Sequence, residues 1–376
     1  MDYTLLFIIG GASAIAFYMA WSIGANDVAN SMATAVGAKA ITFKQAVLIA
    51  GVLNIVGAVF VGSHVTDTVR KGIVDVTGIP SNILLYGFVA SLLAAAIWVT
   101  LSTWKEMPIS TTHSIVGALM GFGLIVGGTS TVMWSKVGSV VASWVLSPVV
   151  GCILAFFIFK LIVKTIFSKK RPVKSAKIVG PIIIGFTAFL IVSSLFLKTP
   201  LSEKYSLSDI EGFIIAAVIS LVIAIIGIFL LRKIEDKGVE DYLTVEGIFR
   251  KLQVVTSCYV AFAHGANDVA NAIGPVAAII PLAQGEELCT KVDVPIALLA
   301  LGGIGIAIGC LTWGRRVMKT VGGRITSLTN TRGFSVDFGA ATTVLVASKL
   351  GMPVSTSHTV VGAVIGVGLA LSLIHI

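Results

Sequence analysis

Seven stretches of this chain stay apolar for about as long as a helix needs to cross a bilayer, roughly 20 residues. They are Leu5 to Ser22, Ala46 to Gly62, Ile83 to Leu101, Val137 to Val163, Val179 to Leu197, Phe213 to Leu231 and Val294 to Leu311. Hydrocarbon offers no hydrogen-bond partner to an open backbone, so such stretches must be helices or strands of a closed barrel. Continuous apolar runs without two-residue alternation select helices. Composition agrees: 56% of the 376 residues are hydrophobic, 12% are charged and the mean hydropathy is +0.99, a balance unsuited to a surface facing water. The expected class is all-α, a polytopic protein embedded in the lipid bilayer.

The charges set an expected orientation. Lys and Arg number 27 against 18 Asp and Glu, an excess that in a membrane protein belongs to cytoplasmic loops, so no nucleic-acid partner is expected. The densest run, SKKRPVKSAK from Ser168 to Lys177, reads as a basic cytoplasmic linker over 168–178 that separates a first unit, 1–167, from a second, 179–370. The second unit carries two extra spans and a polar cytoplasmic loop over 232–251. Counting spans from the linker puts the N-terminus outside, Lys39, Lys44 and Lys105 inside, and Arg70 and Lys71 outside. The opening MDYTLL lacks the basic start of a secretory signal, which makes the first run a permanent span. Cys152, Cys258, Cys289 and Cys310 show no metal-type spacing.

Two polar strings each occur twice. GANDVAN begins at Gly24 and again at Gly265, 241 positions on; PISTTHSIVGALMGFG begins at Pro108 and its relative PVSTSHTVVGAVIGVG at Pro353, 245 positions on. By the span count the first GANDVAN follows a segment running inward and the second follows one running outward. Two inverted-topology repeats with interrupted or re-entrant helices are the pattern of many secondary transporters.

As one straight helix, Thr4 to Ala38 would be about 52 Å long, longer than the hydrocarbon core. A break is therefore expected at Gly24, with Asp27 capping the helix that follows, and likewise at Gly265 and Asp268. Asn26, Asp27 and Asn30 then place carboxylate and amide oxygens on one face, as do Asn267, Asp268 and Asn271. These are ligands for a hard cation such as sodium, or the carboxylate carries a proton. In the other string Pro108 keeps Met107 out of helical geometry, so Ser110, Thr111 and Thr112 open a helix whose first N–H groups lack intrahelical partners. Those groups and hydroxyls, at the positive end of a helix dipole, suit a compact oxyanion; Ser355, Thr356 and Ser357 supply the mirror copy. Neither string contains Lys or Arg, which fits an anion that must also leave. Gly117 and Gly121, like Gly362 and Gly366, allow close helix approach. His113 and His358 could touch the anion, pass a proton or hydrogen-bond within the bundle; the last is expected of a membrane-buried histidine. Cation and anion in one central site would each offset the other's desolvation.

With VTDTVRKGI from Val65 and WGRRVMKTVG from Trp313, the paired strings resemble the inorganic phosphate transporter (PiT) family over nearly the whole chain. The resemblance implies phosphate symport coupled to sodium, with the proton as alternative, about twelve spans, and frequently a homodimer. Carried over by position, it assigns phosphate to Ser110, Thr111, Thr112, Ser355, Thr356 and Ser357. Sodium falls to Asn26, Asp27, Asn267 and Asp268, with Asn30, Asn271, His113 and His358 in support. No organic cofactor is implied, and the expected location is a plasma or inner membrane. Sulfate is the nearest alternative substrate, since the resembled family includes sulfate permeases. A passive anion channel is disfavoured by the paired carboxylates. An enzyme is not expected, since no Walker A, HExxH or GxSxG string occurs.

Two features depart from the family pattern. Asn54 stands where animal members carry a glutamate, which limits transfer of their coupling details. In the first half the Ser/Thr string is followed by a further span, whereas the second half stops at LALSLIHI. Leu371 to Ile376 reads as a translated sequencing adapter, so the expectation is that 371–376 is not native and that the partner of Val137 to Val163 is missing.

Overall fold

The computed structural model describes residues 3–63, 73–196, 205–235, 241–285, 294–318 and 329–372. Arg70, Lys71, Cys289, nearly all of VTDTVRKGI, the end of WGRRVMKTVG and the last four residues of LSLIHI lie outside them. The described residues form eleven α-helices: α1 (Tyr3–Gly37), α2 (Phe43–Val61), α3 (Ser81–Trp104), α4 (Thr111–Gly127), α5 (Trp134–Ile162), α6 (Pro172–Phe196), α7 (Asp209–Arg232), α8 (Tyr242–Ala283), α9 (Ile296–Thr312), α10 (Asn330–Lys349) and α11 (Thr356–Ser372). Eight helices are long and apolar enough to cross a membrane, as in an integral, multi-pass protein. The seven apolar runs fall in α1, α2, α3, α5, α6, α7 and α9. The other four helices carry Ser, Thr, Asn or Asp into the interior and so escape a search for unbroken apolar sequence.

Two of these helices form the centre. Ser22 to Ala35 of α1 and Tyr259 to Ile279 of α8 are buried without interruption, as expected of helices packed on every side. Asp27 of α1 lies near His264 of α8, and one carboxylate, Asp337, accepts hydrogen bonds from both Thr34 and Ser257. Rising numbers in α1 thus meet falling numbers in α8. The two GANDVAN helices run antiparallel, the relation that inverted repeats require.

The expected breaks at Gly24 and Gly265 do not occur. Both helices continue through GANDVAN, and neither Asp27 nor Asp268 is a helix cap. The glycines serve close packing instead: a Cβ on Gly24 would overlap the backbone of Ile306 in α9, and one on Gly265 the backbone of Asn54 in α2. Gly309 against Trp21 and Gly57 against Phe262 complete the same pair of contacts one turn away. Small residues let these helices meet backbone to backbone.

The interruption falls at the second string. Chain leaves α3 at Lys105 and restarts as α4 at Thr111, with Ser110 Oγ accepting the His113 N–H at 3.2 Å as N-cap. It leaves α10 at Leu350 and restarts as α11, where Ser355 Oγ accepts the His358 N–H at the same distance. Each half therefore holds a helical hairpin whose second helix opens on buried residues, Ser110 to Thr112 in one and Ser355 to Ser357 in the other. Helix α5 covers α11 so closely that Cβ atoms on Gly362 and Gly366 would overlap the backbones of Pro148 and Cys152.

Helices α6 and α7 pair with each other, Gly185 resting on Ala224. Apolar side chains such as Phe213, Leu221, Ile225 and Phe229 are exposed along α7, a surface suited to lipid. Two polar stretches are more ordered than their sequence suggested. The basic run turns helical at Pro172, a favoured first helical residue, and buries Val173 and Ala176. The 232–251 stretch enters α8 at Tyr242 and buries Val245, Ile248 and Phe249, a three-and-four spacing that hides one face. In both, a few apolar positions at helical spacing outweigh the surrounding charge.

Gly265→Ala is expected to lower thermal stability by roughly 1–3 kcal/mol, because its Cβ would meet backbone that cannot rotate away. Gly117→Ala, where a Cβ meets open space, should leave it nearly unchanged. Melting of the purified variants in detergent compares the two.

Candidate functional site

Asp27 and Asp268 are 1% and 0% exposed. Each continues an antiparallel central helix and each faces both hairpin tips. Asp27 Oδ1 accepts from Asn30 Nδ2 at 2.8 Å and Ser357 Oγ at 3.2 Å, and its Oδ2 from Thr111 Oγ1 at 2.8 Å. Asp268 Oδ1 accepts from Asn267 Nδ2 at 2.9 Å, Asn271 Nδ2 at 3.1 Å and Thr112 Oγ1 at 3.3 Å, and its Oδ2 from Thr356 Oγ1 at 3.1 Å. Thr111 and Thr356 hold equivalent places in the repeats, as do Thr112 and Ser357. Each aspartate is thus bonded by one hydroxyl of its own half and one of the other.

Asn30 and Asn271 knit the halves further. Asn30 Nδ2 donates to Ser357 Oγ at 2.8 Å, and Asn271 Nδ2 to Thr112 Oγ1 at 3.1 Å. Asn271 Oδ1 is buried with no donor in reach, an amide oxygen left available to a cation.

Asn26 and Asn267 have another occupation. The Asn26 side chain donates to Met107 O at 3.1 Å and Thr103 Oγ1 at 2.9 Å and accepts the Ile109 N–H at 3.1 Å. Asn267 donates to Val354 O at 2.9 Å and accepts from Val354 N and Ser348 Oγ, both at 3.4 Å. Both amides staple the non-helical tip of their own hairpin to their own central helix, satisfying backbone groups that lipid could not. Ser110 and Ser355 are the helix N-caps, so the first hydroxyl of each triplet holds the fold while the next two reach the carboxylates.

His113 and His358 meet edge to face with ring centroids 4.7 Å apart, and His113 also packs on Trp144 at 3.7 Å. Among the described residues neither ring bonds to the carboxylates. Their backbone N–H groups are used in capping, and His113 Nε2 is buried without a partner. The expected hydrogen bond within the bundle is replaced by ring packing.

With this geometry in place, comparison with known proteins is direct. A model of the phosphate transporter family matches residues 23–374. The chain belongs to the phosphate transporter family. A relative from Thermococcus kodakarensis, named a phosphate permease, is 54% identical over 371 residues, 98% of this chain and 89% of its own. Inorganic phosphate transporter 2-1 of Arabidopsis thaliana, chloroplastic by name, is 41% identical over 95% of this chain and 65% of its own length. A solved structure of a sodium-dependent phosphate transporter matches with a TM-score of 0.91 at 48% identity, covering 97% of this chain and 90% of that one.

Sequence reasoning missed three polar residues near the two aspartates and along the central helices. His264, fully buried, has Nε2 at 3.0 Å from Asp268 Oδ2 and 3.8 Å from Asp27 Oδ2. Asn54 faces its other ring nitrogen. Asp337 lies about two turns further along α1, accepting from Thr34 Oγ1 at 2.7 Å and Ser257 Oγ at 2.6 Å. One turn earlier on α10, Gly333 faces the amide of Gln253, which is fully buried and has no hydrogen-bond partner for its nitrogen or its oxygen among the described residues. His264 directly precedes the second GANDVAN, where the first has Ile23, a mismatch that was visible; Asp337 and Gln253 belong to no repeated string and gave no signal.

Asn26→Ala and Asn267→Ala would each strip partners from a buried hairpin backbone. Each should lower stability by roughly 1–3 kcal/mol, readable as a lower midpoint in thermal unfolding.

Proposed function

We propose that this protein carries inorganic phosphate across the membrane together with sodium, by alternating access around the site between the hairpin tips. The observation that carries this reading is the bonding of Thr111, Thr112, Thr356 and Ser357 to two buried carboxylates from antiparallel helices. Cation ligands and anion donors then occupy one enclosure built equally by both halves. Membership of the phosphate transporter family and the 48% identical sodium-dependent neighbour support the substrate and the ion.

The hydroxyl bonds suggest how the two solutes are coupled. A hydroxyl has a single proton to donate, and here each of the four gives it to an aspartate or to a nearby carbonyl. Sodium on a carboxylate weakens it as an acceptor and frees that proton for phosphate. The anion's charge in turn steadies the cation in a place where an uncompensated ion would be expelled. Binding of each solute favours the other, the reciprocity that symport needs. Asn271 Oδ1, buried without a hydrogen-bond partner among the described residues, is an oxygen that a metal cation can take as a ligand.

The hairpins pack as separate tips against a central pair, which suits movement that opens first one side and then the other. Asp337, with the hydroxyls of Thr34 and Ser257, gives a cation a second polar position along α1 and α8. The reading takes the repeats as 1–167 and 179–370 with α6 and α7 as an addition, the N-terminus outside, a plasma or inner membrane and a homodimer. It involves no organic cofactor and no chemical conversion. The phosphate assignment covers Ser110, Thr111, Thr112, Ser355, Thr356 and Ser357, the two capping serines acting through helix geometry. The sodium assignment centres on Asp27 and Asp268, with Asn30 and Asn271, while Asn26 and Asn267 hold the walls.

Uptake of labelled phosphate or sulfate into proteoliposomes, under imposed sodium or proton gradients, tests the reading. Sodium should drive phosphate uptake, and Asp27→Asn or Asp268→Asn should cut the sodium-stimulated part roughly 10- to 100-fold, the effect of losing a charge-assisted contact. Uptake that follows the proton gradient alone, or prefers sulfate, would replace the ion or the substrate. Asp337→Asn should slow uptake while leaving the selectivity for phosphate unchanged, as judged by competition with sulfate.

A further inference from the structure

The two halves match in most contacts at the site; Asn267 bonds Asp268 where Asn26 bonds only its own hairpin, and one buried pair differs in kind. Gly24 of α1 rests on the backbone of Ile306, and Gly265 of α8 on the backbone of Asn54. The residues preceding these glycines are Ile23 and His264. At one position the halves therefore place Ile23 with Ile306, both 0% exposed; at the equivalent position they place His264 with Asn54, both also 0% exposed. Asn54 is itself anchored, its Nδ2 donating to Ala50 O at 2.7 Å, which turns its Oδ1 to His264 Nδ1. Held from that side, the ring directs Nε2 between the carboxylates, nearer Asp268 than Asp27, at 3.0 and 3.8 Å. Neither approach is aligned as a hydrogen bond.

Replacing an apolar pair by a polar one inside a membrane protein is unfavourable unless the polar groups have a task. Packing supplies none, since Ile23 and Ile306 fill the equivalent volume in the other half.

We propose that His264, positioned by Asn54, makes the two cation seats of this otherwise two-fold site unequal. The inference rests on the sodium reading above. Asp268 meets an imidazole edge in addition to its own hydroxyl and amide partners, while Asp27 keeps a freer face. The seats at the two aspartates then differ in affinity, so cations enter in a fixed order. His264 is a positioning residue here, and the ligating oxygens remain those of the aspartates and amides.

Sodium binding to the purified full chain in detergent, measured with radioactive sodium and without phosphate, gives the test. The unmodified protein should bind in two phases separated by about tenfold in affinity, equivalent to about 1.4 kcal/mol. His264→Ile, the residue found in the other half, should bring the phases within about threefold of each other. His264→Gln, whose amide can still reach the carboxylates, should keep them apart, and it provides a second reading if the isoleucine variant fails to fold. Asn54→Leu, which releases the ring, should shift the binding curve in the same direction as His264→Ile. A purely structural role would lower melting temperature in all three variants without merging the phases. A two-phase curve unchanged in His264→Ile, or a single phase in the unmodified protein, would overturn the proposal while leaving the sodium reading intact. No sodium binding in the unmodified protein would overturn the sodium reading itself and, with it, the proposal.

Discussion

Asp27 and Asp268 lie where water does not reach, on neighbouring helices, facing the same set of hydroxyls. Two carboxylates so placed repel each other and lose their hydration. Only dense hydrogen bonding makes the arrangement tolerable. The donors come from four helices: the amides of Asn30, Asn267 and Asn271 from the central pair, and the hydroxyls of Thr111, Thr112, Thr356 and Ser357 from the hairpin tips. The architecture follows from that demand. Helices must converge on the acids from both halves, and the second helix of each hairpin must start beside them so that short hydroxyl side chains, rather than long charged ones, reach them.

Such convergence requires very close helix contact. Gly24, Gly57, Gly265 and Gly309 remove the side chains that would hold α1 from α9 and α8 from α2. The association of helices in lipid depends on packing and on shared polar contacts, and this protein uses the two at separate places: glycines on the outward sides of the central helices, hydroxyls and amides on the side facing the tips. Asn26 and Asn267 join these regions by fastening each non-helical tip to the glycine-rich helix behind it. The tip backbone is the least self-sufficient part of the fold, and these amides are what it relies on.

Pseudosymmetry makes the exceptions informative. Equivalent hydroxyl and amide contacts recur across the two-fold with similar lengths, for instance Thr111 to Asp27 at 2.8 Å and Thr356 to Asp268 at 3.1 Å. Against that regularity, the polar pair His264–Asn54 opposite Ile23–Ile306 is a departure maintained in the most buried part of the molecule. Asp337, bonded to Thr34 and Ser257, is a second departure, a buried carboxylate outside the repeated strings.

By itself the sequence determined that the chain is a helical membrane protein of two opposed repeats, and it singled out Asp27, Asp268 and the Ser/Thr triplets. Unbroken apolar runs and repeated polar strings are local properties, and lipid leaves few structures that satisfy them. Tertiary structure decided the rest. The long GANDVAN helices stay continuous because Gly24 and Gly265 are needed for contact with Ile306 and Asn54, a requirement invisible along one helix. Ser110 and Ser355 are caps while their neighbours reach the acids, because only the angle at which each hairpin tip arrives separates these roles. Asn26, alike in sequence to a cation ligand, bonds the backbone of a tip some 80 residues away in the chain, and Asn267 shares its amide between such a tip and Asp268. The contact of His264 with Asn54 and the bonds of Asp337 to Thr34 and Ser257 arise through packing between helices distant in sequence, since which side of a buried helix meets which neighbour is set by the whole assembly and by no short stretch of chain.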